Sequence, residues 1–127
     1  MLIIYQGRAG DRNGRAMAGS ALLGNAIAAR MAVGHHLIGH PQLPLRQTWD
    51  AELAAARPEL TQLASTYHHL LLTRSRPVAV IGRCAAALAT LPVVVQHRPQ
   101  TCVVWFDAHA DSNTPLQLQI RISVAWC

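Results

Sequence analysis

Asp107, His109 and Asp111 occupy alternate positions directly after a continuous apolar run, Cys102-Val103-Val104-Trp105-Phe106. On an extended backbone alternate side chains point the same way, so an imidazole and two carboxylates would converge. Such a donor set suits a hard or borderline divalent ion such as Mn²⁺ better than a thiolate-seeking one. The apolar run reads as a strand buried on both faces of a parallel sheet. Ligands of such sheets collect at the carboxyl ends of the strands, where these residues would lie. An Asp-rich turn after a strand also caps helices. Spacing alone therefore leaves metal ligation and helix capping both open.

The longer segment Trp105-Phe106-Asp107-Ala108-His109-Ala110-Asp111-Ser112-Asn113-Thr114-Pro115 resembles the DAHxD signature of the ureohydrolases, the family of arginase, agmatinase and formiminoglutamase. The hydrophobic lead-in, the ligand types and the trailing Asn-Thr-Pro all coincide. The resemblance implies an arginase-like α/β fold, a parallel sheet between helical layers. It also implies a Mn²⁺-dependent hydrolase of linear amidine C–N bonds, in guanidino or formimino compounds, that works through a hydroxide shared by two ions. By resemblance, Asp107 would bridge both ions and His109 would bind the second. Asp111 would bind the first and act catalytically by accepting a proton, and Asn113 would hold the polar end of the substrate. Two cations at one site acidify a shared water and stabilise charge on a tetrahedral intermediate.

Gly82-Arg83-Cys84-Ala85 corresponds in order to the family's GGDHS segment, with Ile81, Arg83, Cys84 and Ala85 in place of all but one of its residues. Cys84 stands where the family has a histidine ligand. A thiolate ligand at a helix N-terminus and a small residue packing the strand-to-helix turn are both open readings of Cys84.

The resemblance covers residues 1–115, the N-terminal half of such a fold. Beyond it, Leu116 to Val124 alternates like a half-exposed strand, and residues 116–127 read as a tail foreign to the family pattern. The family's later SxDxD ligands and substrate-holding glutamate have no counterpart in the sequence. The expectation is an incomplete, truncated α/β domain that binds at most one Mn²⁺ weakly and does not turn over an amidine substrate. The alternative is a non-catalytic fragment that binds metal weakly and self-associates into oligomers or aggregates through exposed sheet edges.

Composition narrows the remaining classes. The chain has 127 residues, 51% of them hydrophobic, enough for one domain with a sizeable core. All eleven basic residues are arginine, so a P-loop lysine, a Schiff-base lysine and a lysine general base are excluded. The arginines are scattered and seldom alternate with aromatics, which argues against nucleic acid despite the net charge of +5. No apolar run approaches the ~20 residues of a membrane span. Cys84, Cys102 and Cys127 make an odd count without a CxxC pair, and the start lacks a signal-peptide pattern, so a reducing cytoplasm is the expected setting.

The positioning elements follow from periodicity. Met1–Tyr5 reads as a first strand, and the loop GRAGDRNGR after it as solvated. A helix is expected from about Arg15 to Val33, ended by Gly34, with Ala21, Leu22, Ile27, Met31 and Val33 against the sheet and Gly19 and Gly24 allowing close approach. His35–His40 holds a second strand, whose histidines lack a carboxylate nearby in sequence. Thr48 or Asp50 should cap a helix reaching Leu72, kinked or split at Pro58. Val78–Ile81 is a third strand, followed by an Ala-rich helix ending near Pro92 and by Cys102–Phe106 as the fourth strand. Alternating strands and helices imply a parallel sheet.

Overall fold

The computed structural model describes residues 1–10 and 14–106. Strand β1 (Leu2–Tyr5) lies at the centre of a parallel sheet of order β2-β1-β3, with β2 at His35–Ile38 and β3 at Val78–Ile81. Helix α1 (Gly14–Met31) connects β1 to β2, α2 (Trp49–Leu72) connects β2 to β3, and a 3₁₀ turn (Cys84–Ala86) leads into α3 (Ala87–His97). Because successive strand residues face opposite ways, β1 supplies both cores. Ile3 and Tyr5 join Leu63, Tyr67, Leu70, Ala86 and Ala89 of the α2 and α3 layer, while Leu2 and Ile4 pack with Ala28 of α1.

The face that α1 presents to the sheet consists of Met17, Ser20, Gly24 and Ala28, whereas Leu22, Met31 and Val33 are exposed. Leu22, Met31 and Val33 thus do not make the contact expected of them, whereas Ala21 and Ile27 do pack against the core around Leu2 and Ile4. At position 24 the approach is closest: a Cβ on Gly24 would lie 2.5 Å from the Ile4 side chain, so no larger residue fits there. Gly19 has nothing near it and plays no such part. Nor does Gly34 end the helix. Ala32 takes the left-handed conformation (φ 51°) and the Val33 amide donates to the Ala28 carbonyl at 3.1 Å, closing a Schellman-type end.

Thr48, rather than Asp50, caps α2, its hydroxyl accepting from the Ala51 amide at 3.3 Å. The helix continues through Pro58 without splitting, and Pro92 lies inside α3, not at its end. Both prolines are exposed, as are Ala54 and Leu88 four residues before them. The carbonyls deprived of a donor therefore sit on the solvent side, where water can satisfy them.

Two expectations fail more consequentially. Cys102–Phe106 is not a strand: among the described residues it pairs with none of the sheet strands, and it is exposed throughout, Phe106 to 95%. A continuous apolar run becomes a buried strand only where neighbours accept its backbone hydrogen bonds and cover both its faces. The first part of the glycine- and arginine-rich loop, in turn, is not solvated. Gln6, Gly7, Arg8 and Ala9 are buried.

Arg8 organises that end of the sheet. Its Nη1 donates to Glu52 Oε2 at 3.2 Å, in an ion pair whose side chains are 8% and 1% exposed. Its Nε donates to Gln42 Oε1 at 2.9 Å and its Nη2 to the Leu43 carbonyl. Glu52 Oε1 also accepts from the Arg46 amide at 3.0 Å. Glu59 accepts from the Arg8 amide at 2.9 Å and from Gln42 Nε2 at 3.1 Å, and the Tyr5 hydroxyl donates to the Arg8 carbonyl. Among the described residues no buried side-chain nitrogen or oxygen lacks a partner. Burial pushes the Tyr5 phenol well above its ordinary range, with the Glu59 charge adding to the effect, and burial likewise raises Tyr67.

Two outcomes follow from this network. Removing one partner of a buried pair strands the other charge, so Glu52→Ala should cost about 3–5 kcal/mol, read from urea unfolding midpoints. A cost below about 1 kcal/mol would show the pair to be solvated. At high pH the folded protein keeps phenol protons that the unfolded chain gives up above the ordinary tyrosine value of 10.0, so the unfolded state binds fewer protons and stability falls as pH rises beyond that point. The fall in melting temperature between about pH 8 and pH 11 should be shallower in Tyr5→Phe than in the parent. Equal slopes would contradict the assignment.

Candidate functional site

The carboxyl end of β3 and the segment before Asp107 meet in a cleft. Ile81, Gly82, Arg83 and Cys84 form one wall and Val104, Trp105 and Phe106 the other, around a volume of about 390 Å³. The β3 exit is held tightly, because a Cβ on Gly82 would run into the backbone carbonyl of Ala16 in α1. Glycine at this position lets the strand end approach the first turn of the helix. Arg83 then remains extended (φ −149°, ψ 141°), and the chain turns into the 3₁₀ segment at Cys84.

The residue that packs the strand-to-helix turn is Ala86, which is completely buried. Cys84 is half-buried, not part of a disulfide, and lines the cleft.

Asp107, His109, Asp111 and Asn113 lie outside the described residues. Asp107 directly follows Phe106, so the cleft wall leads by one peptide bond into the candidate ligand run. Among the described residues, no group of three or more His, Cys, Asp and Glu could hold a metal ion. His35, His36 and His40 are all exposed. Folding brings His40 a carboxylate that is distant in sequence: Nδ1 is 3.8 Å from Glu59 Oε1. That carboxylate is already engaged by the Arg8 amide and Gln42.

Sequence reading missed the polar cluster at the ends of β1 and β2. A signal was present, since Glu52, Ala56, Glu59 and Leu63 follow the spacing of one helical face. Two carboxylates sharing a face with a buried alanine and leucine require a buried cation or donors. Arg8, directly after the first strand, supplies both.

Comparison with known proteins accords with this arrangement. The pattern of the Arginase family matches residues 3–125, a range that includes Leu116 to Val124. The N(omega)-hydroxy-L-arginine amidinohydrolase of Streptomyces lavendulae is 32% identical over 114 residues, covering 90% of this chain and 42% of that enzyme. The mitochondrial arginase-2 proteins of Mus musculus and Homo sapiens are each 49% identical over 39 residues, 31% of this chain and 11% of theirs. The chain thus spans less than half the length of these relatives. With a parallel sheet between helical layers and a family match along nearly its whole length, the chain belongs to the arginase family.

Proposed function

We propose that this chain carries the first part of a ureohydrolase site, in which Mn²⁺ serves the hydrolysis of a linear amidine C–N bond in a guanidino or formimino compound. The observation that carries the reading is the family match over residues 3–125, which contains the Asp107, His109 and Asp111 run. The donor chemistry fits the ion: carboxylate oxygens and an imidazole are what Mn²⁺ accepts. Asp107, His109 and Asp111 would hold it, with Cys84 at the exit of β3 as a further candidate. When bound, the ion supplies Lewis acidity toward water.

The remaining chemistry belongs to side chains. Asp111 accepts the proton that water must lose as its oxygen attacks the amidine carbon. Asn113 hydrogen-bonds the polar end of the substrate. An amidinohydrolase of N(omega)-hydroxy-L-arginine among the relatives supports a guanidino substrate over a formimino one.

Alone, the chain lacks the carboxylates that would offset the repulsion of a second cation. It should therefore bind at most one equivalent of Mn²⁺ and release no urea or formamide from arginine, N(omega)-hydroxyarginine, agmatine, guanidinobutyrate or formiminoglutamate. A second reading, a non-catalytic unit that self-associates, is favoured by the exposed run Val103–Phe106, since unpaired apolar segments recruit other chains. The site test is Mn²⁺ titration with elemental analysis. Asp111→Ala should weaken binding about tenfold or more, and Cys84→Ser only a few-fold, because Ala85, Ala86 and Ala87 offer no side-chain donors to orient a ligand at Cys84. Two tightly held ions, or turnover of any of these substrates, would overturn the account of the isolated chain.

A further inference from the structure

A pair of histidines on the opposite helical layer plays no part in the site described so far. His68, on the penultimate turn of α2, and His97, the last residue of α3, face each other with Nδ1 of the first 2.9 Å from Nε2 of the second. Their ring centroids are 4.7 Å apart and the planes are inclined by 64°. Two rings aligned nitrogen to nitrogen at that separation would have centroids about 5 Å apart. The observed 4.7 Å is shorter, so the two rings are bent away from a straight nitrogen-to-nitrogen alignment.

We propose that His68 and His97 form a bidentate clip for a late first-row divalent cation of the Ni²⁺ or Cu²⁺ type. With metal–nitrogen bonds of about 2.0–2.1 Å, a nitrogen separation of 2.9 Å subtends an angle of about 90° at the metal. That is the angle between neighbouring ligands in square-planar and octahedral coordination, and it is narrower than the angle a tetrahedral Zn²⁺ site requires. Imidazole suits these ions, and divalent affinities rise from Mn²⁺ to Cu²⁺, so the clip differs in preference from the carboxylate-rich run at Asp107–Asp111.

The framework holds the two rings in place before any ion arrives. Helices α2 and α3 share the core built from Leu63, Tyr67, Leu70 and Ala89. The end of α3 is closed by the Arg98 amide on the Val94 carbonyl at 2.8 Å, and Arg98 Nη1 donates to the His97 carbonyl at 3.1 Å. His68 is exposed and His97 half-buried, which leaves room for water to complete the coordination. Ligation replaces the imidazole–imidazole hydrogen bond. The proton on the donating nitrogen moves to the other nitrogen of its own ring, so two neutral rings bind without net proton release. Imidazole ligates in its neutral form, so protons compete with the ion for both rings.

Ni²⁺ titration of the untagged full chain by calorimetry, with thermal unfolding in parallel, tests this directly. One equivalent should bind and raise the melting temperature, because the ion joins two helices only in the folded state. His68→Gln and His97→Gln should each weaken Ni²⁺ binding at least tenfold and abolish the thermal shift, while His69→Gln stays within twofold. His109→Ala, which removes the histidine of the Mn²⁺ run, should leave the tight Ni²⁺ equivalent in place. Absence of Ni²⁺ binding overturns the proposal. So does affinity within twofold of the parent in either clip variant, or an equal loss in His69→Gln.

Discussion

The buried ion pair of Arg8 and Glu52 constrains the carboxyl end of the sheet more than any other interaction. A guanidinium taken out of water must find nearly all its hydrogen bonds within the protein. Arg8 does so by drawing on α2 through Glu52 and on the connection after β2 through Gln42 and Leu43. Three separate stretches of chain are thereby held at the ends of the first two strands. The pair contributes less as a source of net stability than as a demand for one arrangement, because any other leaves a buried charge or amide unpaired.

The same economy of space appears at the end of β3. Gly82 brings the strand exit against the Ala16 carbonyl, and the chain can then turn at Cys84 with Ala86 buried beneath it. One side of the cleft is consequently rigid, built on a strand end and a helix start. The other side, Val104 to Phe106, belongs to an exposed segment without sheet partners among the described residues. The cleft thus joins a wall built on regular structure to an exposed one.

Much of this was legible in the sequence because it depends on local spacing. The strands at Leu2–Tyr5 and Val78–Ile81, and the helix from Trp49 to Leu72, announce themselves through apolar periodicity and the Thr48 cap. The Asp107–Asp111 run announces the family through residue types at fixed intervals. What could not be read locally depended on neighbours. Val103 to Phe106 has the composition of a buried strand, yet composition provides no adjacent strand. Leu22 and Met31 look like core residues, but the helix turns Met17, Ser20, Gly24 and Ala28 to the sheet instead. Arg8 in a glycine-rich loop looks solvated until Glu52 and Glu59 are placed on one face of a helix lying over it.

The central claim is that the functional site of this arginase-family chain lies where the end of β3 meets the segment leading into Asp107. Paramagnetic line broadening by substoichiometric Mn²⁺ in the amide NMR spectrum locates the ion without requiring turnover. The account predicts selective loss of signals from Gly82 to Ala85 and from Val104 to Phe106, with His35 and His36 on β2 unaffected. Broadening centred on β2, or spread evenly over the exposed histidines, would contradict it.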